Sequence, residues 1–275
     1  MIKSLRLPDF IIAGAAKSAT TWLQKSLQQS PSIVMPDHEP HFFARHYHEG
    51  IEAYLAELGS VSDGVLLGEK SNSYLTVPEA AARIRMRIPD VRLIFQLRNP
   101  VDRAYSDYTM LFRRGEVDSD IWRHLDPDRA AGQRFLRDGC YADHLQRFYD
   151  LFPANQILVL LYEDMLHNPQ GQLRCLARHL GQEADLAPPL ETRVKDARAA
   201  AVPQHLRRIL GPVRPVLDPI RHTSPMLWAR SLVARSPRYP EFNPDLRAKV
   251  ITFYQPQARI LQRITGQKFD IWKLF

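Results

Sequence analysis

A short apolar run, Phe10-Ile11-Ile12-Ala13, is followed at once by Gly14-Ala15-Ala16-Lys17-Ser18-Ala19-Thr20-Thr21-Trp22 and then by Leu23-Gln24-Lys25-Ser26-Leu27. The first stretch predicts a buried strand and the last a helix. A strand, a tight turn of small residues and a helix N-terminus together make an anion site. Unpaired backbone N–H groups and the helix dipole face the ligand, and small side chains let it come close. Lys17 adds a full positive charge, and Ser18, Thr20 and Thr21 add hydroxyl donors. The stretch therefore predicts a phosphate-like group gripped by Ala16, Lys17, Ser18, Ala19, Thr20, Thr21 and Trp22. The Walker pattern G-x-x-x-x-G-K-[ST] does not fit, because no glycine stands directly before Lys17 and Gly14 is only three positions away.

Apolar runs and helical patterns alternate along the next 160 or so residues. Strands are expected at Phe10–Ala13, Ile33–Met35, Val65–Leu67, Val91–Leu97 and Gln156–Tyr162. Helices are expected at Thr20–Gln29, Ile51–Leu58, Pro78–Arg87, Val101–Arg113, Tyr141–Leu151 and Gln170–Leu180. This alternation predicts an α/β fold with a central parallel sheet flanked by helices. Ligands of such sheets bind at the carboxyl ends of the strands. After about Gly181 prolines become frequent, and the pattern gives an irregular, partly helical segment closed by a helix from about Asp245 to Ile264. With 275 residues and no long Gly/Ser/Pro linker, one domain over 1–275 is expected, with its core at about 8–181 and the irregular part at 182–275.

Three further segments lie at strand ends. Leu97-Arg98-Asn99-Pro100-Val101-Asp102-Arg103-Ala104-Tyr105-Ser106 follows the strand Val91–Leu97, with Arg98 81 residues after Lys17. A guanidinium there and the Ser106 hydroxyl two turns along the next helix can clamp a second phosphate. His38-Glu39-Pro40-His41-Phe42-Phe43-Ala44 follows Ile33–Met35, and its carboxylate can take a proton from an acceptor hydroxyl. Gly68-Glu69-Lys70-Ser71-Asn72-Ser73-Tyr74 follows Val65–Leu67; an exposed Glu69–Lys70 pair at a strand end is its simplest alternative reading.

Together these segments resemble the sulfotransferases that use 3′-phosphoadenosine 5′-phosphosulfate (PAPS), in particular the heparan-sulfate and glycan-type branch and its bacterial relatives. The order Gly-x-x-Lys-Ser-x-Thr-Thr resembles that family's 5′-phosphosulfate loop, and R-N-P-x-x-R-A-Y-S its 3′-phosphate segment. The resemblance implies a P-loop-NTPase-like sulfotransferase fold, PAPS as co-substrate and 3′-phosphoadenosine 5′-phosphate (PAP) as product. It implies Arg98 and Ser106 on the 3′-phosphate, Glu39 as catalytic base, His41 assisting near the acceptor, and Lys70 near the transferred sulfate. Ala44 stands where some relatives carry Asp, and Ala19 where a glycine is common; an alanine is tolerated there at negative φ. A late basic loop has its nearest counterpart in Val194-Lys195-Asp196-Ala197-Arg198-Ala199, which makes Lys195 and Arg198 further 3′-phosphate candidates.

The formal net charge of +7 favours anionic partners without a like-charge run that reads as a nucleic-acid tail. Cys140 and Cys175 form no disulfide framework or metal quartet, and the histidines at 38, 41, 46 and 48 lack ligand spacing, so no metal is expected. The apolar run at Phe10 is too short for a signal peptide or a membrane span, and a cytoplasmic protein is expected. The expected reaction is sulfuryl transfer to a hydroxyl, or an amine, of a carbohydrate, lipid or small metabolite. A kinase-like phosphotransferase and a non-catalytic binder of an anionic polymer are the competing readings. The first lacks the Walker spacing, and the second leaves the Glu39 and Lys70 segments unexplained.

Overall fold

The computed structural model describes residues 3–182, 186–189 and 238–274. The chain groups into two compact units. The first comprises Met1–Arg103, Asp138–Val194 and Ile251–Phe275, and the second Ala104–Arg137 with Lys195–Val250.

The first unit holds strands β1 (Lys3–Leu5), β2 (Phe10–Gly14), β3 (Ile33–Val34), β4 (Ser60–Ser62), β5 (Leu66–Lys70), β6 (Arg92–Leu97) and β7 (Ile157–Leu161). Five of them form a parallel sheet in the order β3-β5-β2-β6-β7, and β1 pairs antiparallel with β4. The unbroken apolar run of β2 suits its place, since a strand with neighbours on both sides and helices on both faces shows water nothing. After β2 the chain crosses to the edge strand β3 and returns inward through β5 on one side, then crosses to β6 and β7 on the other. The carboxyl end of β2 is thus the topological switch point of the sheet, where ligands of open α/β sheets bind.

Helix α1 (Thr20–Leu27) packs Trp22, Leu23 and Leu27 against Phe10, Ile12, Ile94 and Leu160 of one sheet face. The helices after it are α2 (Ile51–Leu58), α3 (Ala80–Arg87) and α4 (Pro100–Arg114). The second unit adds α5 (Ile121–Leu125), α6 (Pro127–Ala130) and α7 (Arg134–Arg137). Helices α8 (Tyr141–Tyr149), α9 (Tyr162–His167) and α10 (Pro169–Leu180) return to the first unit, and α11 (Pro244–Thr265) is the closing helix. Leu173, Leu176 and Leu180 of α10 join the α1 side of the core, while on the other face Phe95 meets Phe148 of α8 edge to face at 4.8 Å. In the second unit Arg134 clamps the buried Asp107 of α4 through two bonds of 3.0 and 3.1 Å, and Tyr105 stacks on Phe242.

The expected elements form with shifts of at most three residues, and one shift has a chemical consequence. The strand expected at Val65–Leu67 runs on to Lys70. Glu69 and Lys70 are therefore strand residues, 0% and 3% exposed, and alternation sends them to opposite faces. Both are buried, with Glu69 held by Tyr54 and Ser71 and Lys70 by Glu39 and Thr21. The sequence pattern also missed the β1–β4 pair and the short helices α5 to α7, which are too brief to show a period.

Gly68 sits directly across from Phe10 in the β2–β5 register, where a Cβ would come within 2.1 Å of the phenyl ring. Gly68→Ala is expected to lower the unfolding free energy by about 1–3 kcal/mol, seen as a fall in the urea midpoint. Adding Phe10→Leu should recover part of the loss; an unchanged midpoint in the single variant contradicts this packing.

Candidate active site

The loop after β2 is built by backbone conformation as much as by side chains. Gly14 has φ +152°, and a Cβ there would sit 2.7 Å from Leu75 Cβ. Lys17 and Ala19 are both left-handed, at φ 71° and 61°. The negative φ expected for Ala19 is not what forms. An alanine in this region is strained by about 1–2 kcal/mol, and the surrounding packing must hold it there. Ala19 is also the N-cap of α1 and supplies no side-chain acceptor to the first-turn N–H groups. The Ser18 hydroxyl is fully buried, and among the described residues it has no hydrogen-bond partner. First-turn amides without a cap, a buried hydroxyl without a partner and the Lys17 charge are the features a bound phosphate would satisfy. The loop fits such a group.

Arg98 ties this loop to the end of β6. Its Nη1 donates to the Lys17 carbonyl at 3.3 Å, and its guanidinium lies 4.6 Å over the Tyr162 ring. Tyr141 donates its hydroxyl to the Arg98 carbonyl at 3.0 Å, and burial pushes the phenol up to about 12. Arg98 and Lys17, 81 residues apart in sequence, are thus brought together. Ser106 lies on α4 within the second unit, where its carbonyl accepts from Thr109 Oγ1 at 3.1 Å. Lys195 and Arg198 lie outside the described residues.

The third strand end adds a carboxylate. Glu39 accepts from the Asn72 amide (Oε2, 3.1 Å) and from Asn72 Nδ2 (Oε1, 3.1 Å), and Lys70 Nζ lies 3.2 Å from Oε1. Asn72 Oδ1 in turn accepts from Thr20 Oγ1 at 2.7 Å, and Lys70 Nζ donates to Thr21 Oγ1 at 3.2 Å. Two bridges therefore join Glu39 to the first turn of α1, one through Asn72 and one through Lys70. These contacts fix a carboxylate beside the loop after β2.

His41 stands beside the carboxylate, with Nε2 3.6 Å from Glu39 Oε2 and Nδ1 2.7 Å from Ser73 Oγ. Burial lowers its pKa, against the opposing pull of Glu39, so the imidazole tends to stay neutral. Its backbone is left-handed at φ 53°, and a π-helical turn, Phe42–His46, follows. Phe42 stacks on Tyr54 at 4.5 Å and Phe43 meets Tyr74 at 5.6 Å, so aromatic packing anchors the segment that carries Glu39 and His41. Among the described residues no three His, Cys, Asp or Glu side chains gather as a metal site. His38 and His46 instead pair with Glu57 and Glu49.

Sequence reasoning missed Asn72, which bridges Glu39 and Thr20, and Tyr162, which underlies Arg98. Asn72 had a signal: a short amide just past the carboxyl end of a central strand, where functional groups concentrate. Tyr162 had none, because an aromatic after a strand reads as core.

Comparison with known proteins shows the family of the chain. The family described as "Sulfotransferase domain" matches residues 7–204. The chain belongs to this sulfotransferase family. It is 36% identical over 187 residues to mouse (Mus musculus) heparan sulfate glucosamine 3-O-sulfotransferase 3A1, covering 65% of this chain and 47% of that protein. It is 30% identical over 270 residues to human (Homo sapiens) heparan sulfate glucosamine 3-O-sulfotransferase 6, covering 96% of this chain and 73% of that protein. The chain thus spans about half the length of the 3A1 relative. The crystal structure of a sulfotransferase from Alicyclobacillus acidocaldarius shares the fold, with TM-score 0.72, 24% identity, and coverage of 98% of this chain and 99% of that one.

One buried group of this sulfotransferase titrates in an accessible range. Glu69 receives hydrogen bonds from Tyr54 OH at 3.0 Å and Ser71 Oγ at 2.8 Å, and Ser71 Oγ accepts the His41 amide at 2.8 Å. Burial pushes the Glu69 carboxyl up to about 7, against the hydrogen bonds of Ser71, Tyr74 and Tyr54, and Glu57 adds a smaller upward push. The folded state therefore holds this proton more tightly than the unfolded chain, and stability falls as pH rises from about 4.5 to 7. The lowered His41 works in the opposite sense below its ordinary value, so the comparison must be with a variant. Glu69→Gln is expected to remove a downward slope of up to about 1.4 kcal/mol per pH unit from denaturant unfolding curves. Parallel wild-type and variant slopes would contradict the assignment.

Proposed function

We propose that this chain transfers a sulfuryl group from PAPS to a hydroxyl of a carbohydrate acceptor. The observation that carries the reading is the double bridge from Glu39 to the α1 turn, which sets a carboxylate and a lysine beside an anion loop. The donor supplies the sulfuryl group and leaves as PAP. Loop amides from Ala16 to Trp22, with Lys17 and the Ser18, Thr20 and Thr21 hydroxyls, hold the 5′-phosphate side and stabilise the charge that grows on the leaving oxygen. Arg98 holds the 3′-phosphate. Glu39 takes the acceptor proton as the acceptor oxygen attacks sulfur and the bond from sulfur to the bridging oxygen breaks. Lys70, held 3.2 Å from Glu39, turns toward the sulfuryl oxygens as the transfer proceeds. His41, held by Ser73, orients the acceptor beside the base.

A glycan hydroxyl is the acceptor class best supported. The relatives above are named for a glucosamine position of heparan sulfate, and the +7 charge suits an anionic chain. Among the described residues no helix is long and apolar enough to cross a membrane. Cys140 and Cys175 are both free thiols, which supports a reducing, cytoplasmic setting. The whole of 1–275 is read as one sulfotransferase domain.

Transfer of label from PAPS to desulfated and partly sulfated heparan fragments tests the reaction. Glu39→Gln is expected to lose at least about 100-fold in turnover, the scale of a removed general base, while PAP affinity changes by less than about threefold. Near-normal turnover in that variant would sink Glu39 as the base.

A further inference from the structure

The turn that follows β6 is fixed by a closed ring of hydrogen bonds that the proposed chemistry leaves unexplained. Asn99 is 8% exposed and sits between Arg98 and the start of α4. Its amide donates to Glu163 Oε1 at 2.8 Å, and its Nδ2 donates to the Trp272 carbonyl at 2.8 Å. The other oxygen of Glu163 accepts the Trp272 indole N–H at 2.9 Å. Asn99, Glu163 and Trp272 thus hold one another pairwise, and Asn99 Oδ1 also accepts the Val101 amide at 3.0 Å.

The neighbours of this ring point at Arg98. Tyr162, the residue before Glu163, carries the Arg98 guanidinium on its face, and Tyr141, whose hydroxyl meets the Arg98 carbonyl, has its ring 5.9 Å from that of Trp272. Trp272 itself is 2% exposed and packs on Phe269 with ring centroids 4.6 Å apart. A buried indole needs only one acceptor, and a backbone carbonyl would serve. Here the acceptor is the carboxylate that also fixes the Asn99 amide. An indole more than 100 residues along the chain therefore sets the backbone at the root of the Arg98 side chain.

We infer that Glu163 and Trp272 are positioning residues for Arg98: the segment Phe269–Leu274 folds back on the carboxyl end of β6 and fixes the Arg98–Asn99 backbone so that the guanidinium meets a 3′-phosphate. The inference rests on the proposed role of Arg98. It gives a function in the nucleotide site to a segment that lies far from every motif.

Calorimetric titration with PAP and with adenosine 5′-phosphate, which lacks the 3′-phosphate, separates positioning from general stability. Trp272→Phe keeps the ring and deletes the N–H; it should weaken PAP about tenfold, the scale of one charge-assisted bond, and leave adenosine 5′-phosphate within about twofold. Glu163→Gln leaves the indole packing intact and should show the same split. Arg98→Ala in parallel should abolish the preference for PAP. Equal weakening of both nucleotides, or no change, in the two ring variants while Arg98→Ala loses the preference overturns the positioning role alone. If Arg98→Ala keeps the preference, the 3′-phosphate clamp itself fails, and the positioning role with it.

Discussion

A lysine ammonium cannot be carried to the buried end of a central strand without a counter-charge, because removing it from water costs several kcal/mol. Lys70 is in that position, 3% exposed at the end of β5, and Glu39 is what answers it, 3.2 Å away. Much of the site follows from that pair. Glu39 must be brought in by the segment after β3, so Phe42 and Phe43 anchor that segment among Tyr54 and Tyr74. The remaining lone pairs of Glu39 must be met, and Asn72 meets them with two N–H groups. The remaining donor capacity of Lys70 reaches Thr21, which fixes the pair against α1. The ion pair is thus less a stability device than a register pin between three strand ends.

The second constraint is conformational. The loop after β2 holds two non-glycine residues in the left-handed region, Lys17 and Ala19. Strain of this kind persists only where packing over-determines it, and the packing is visible: Leu75 closes on Gly14, Trp22 and Ala19 sit against the core, and the Arg98 guanidinium reaches the Lys17 carbonyl. This packing fixes the loop's shape at the topological switch of the sheet, as its proposed role toward the donor's phosphate requires.

Much of this was legible in the sequence, for physical reasons. The apolar run Phe10–Ala13 has only one use in an α/β chain, and helices as periodic as Ile51–Leu58 form with the expected bounds. The strand-end motifs at Lys17, Glu39, Lys70 and Arg98 were readable because chemistry of this kind collects at the carboxyl ends of parallel strands. Three things were not readable. Whether Glu69 and Lys70 pair or part depends on whether β5 ends before or after them, and a shift of a few residues decides which face a side chain takes. The sign of φ at Ala19 is set by packing around the loop, since alanine itself prefers the other sign. The ring of Asn99, Glu163 and Trp272 joins residues up to 173 positions apart, and no local pattern signals a contact of that range.

In the proposed reaction the cradle after β2 and the Arg98 side chain together select a nucleotide phosphorylated at both the 3′ and 5′ positions. Thermal unfolding with saturating PAP, set against the same concentration of ATP with magnesium, tests it most directly. PAP at 100 times its dissociation constant is expected to stabilise the fold by about 2.7 kcal/mol, while ATP with magnesium shifts the midpoint by a small fraction of that. Equal or greater stabilisation by ATP with magnesium would contradict it and return the loop to the kinase-like reading.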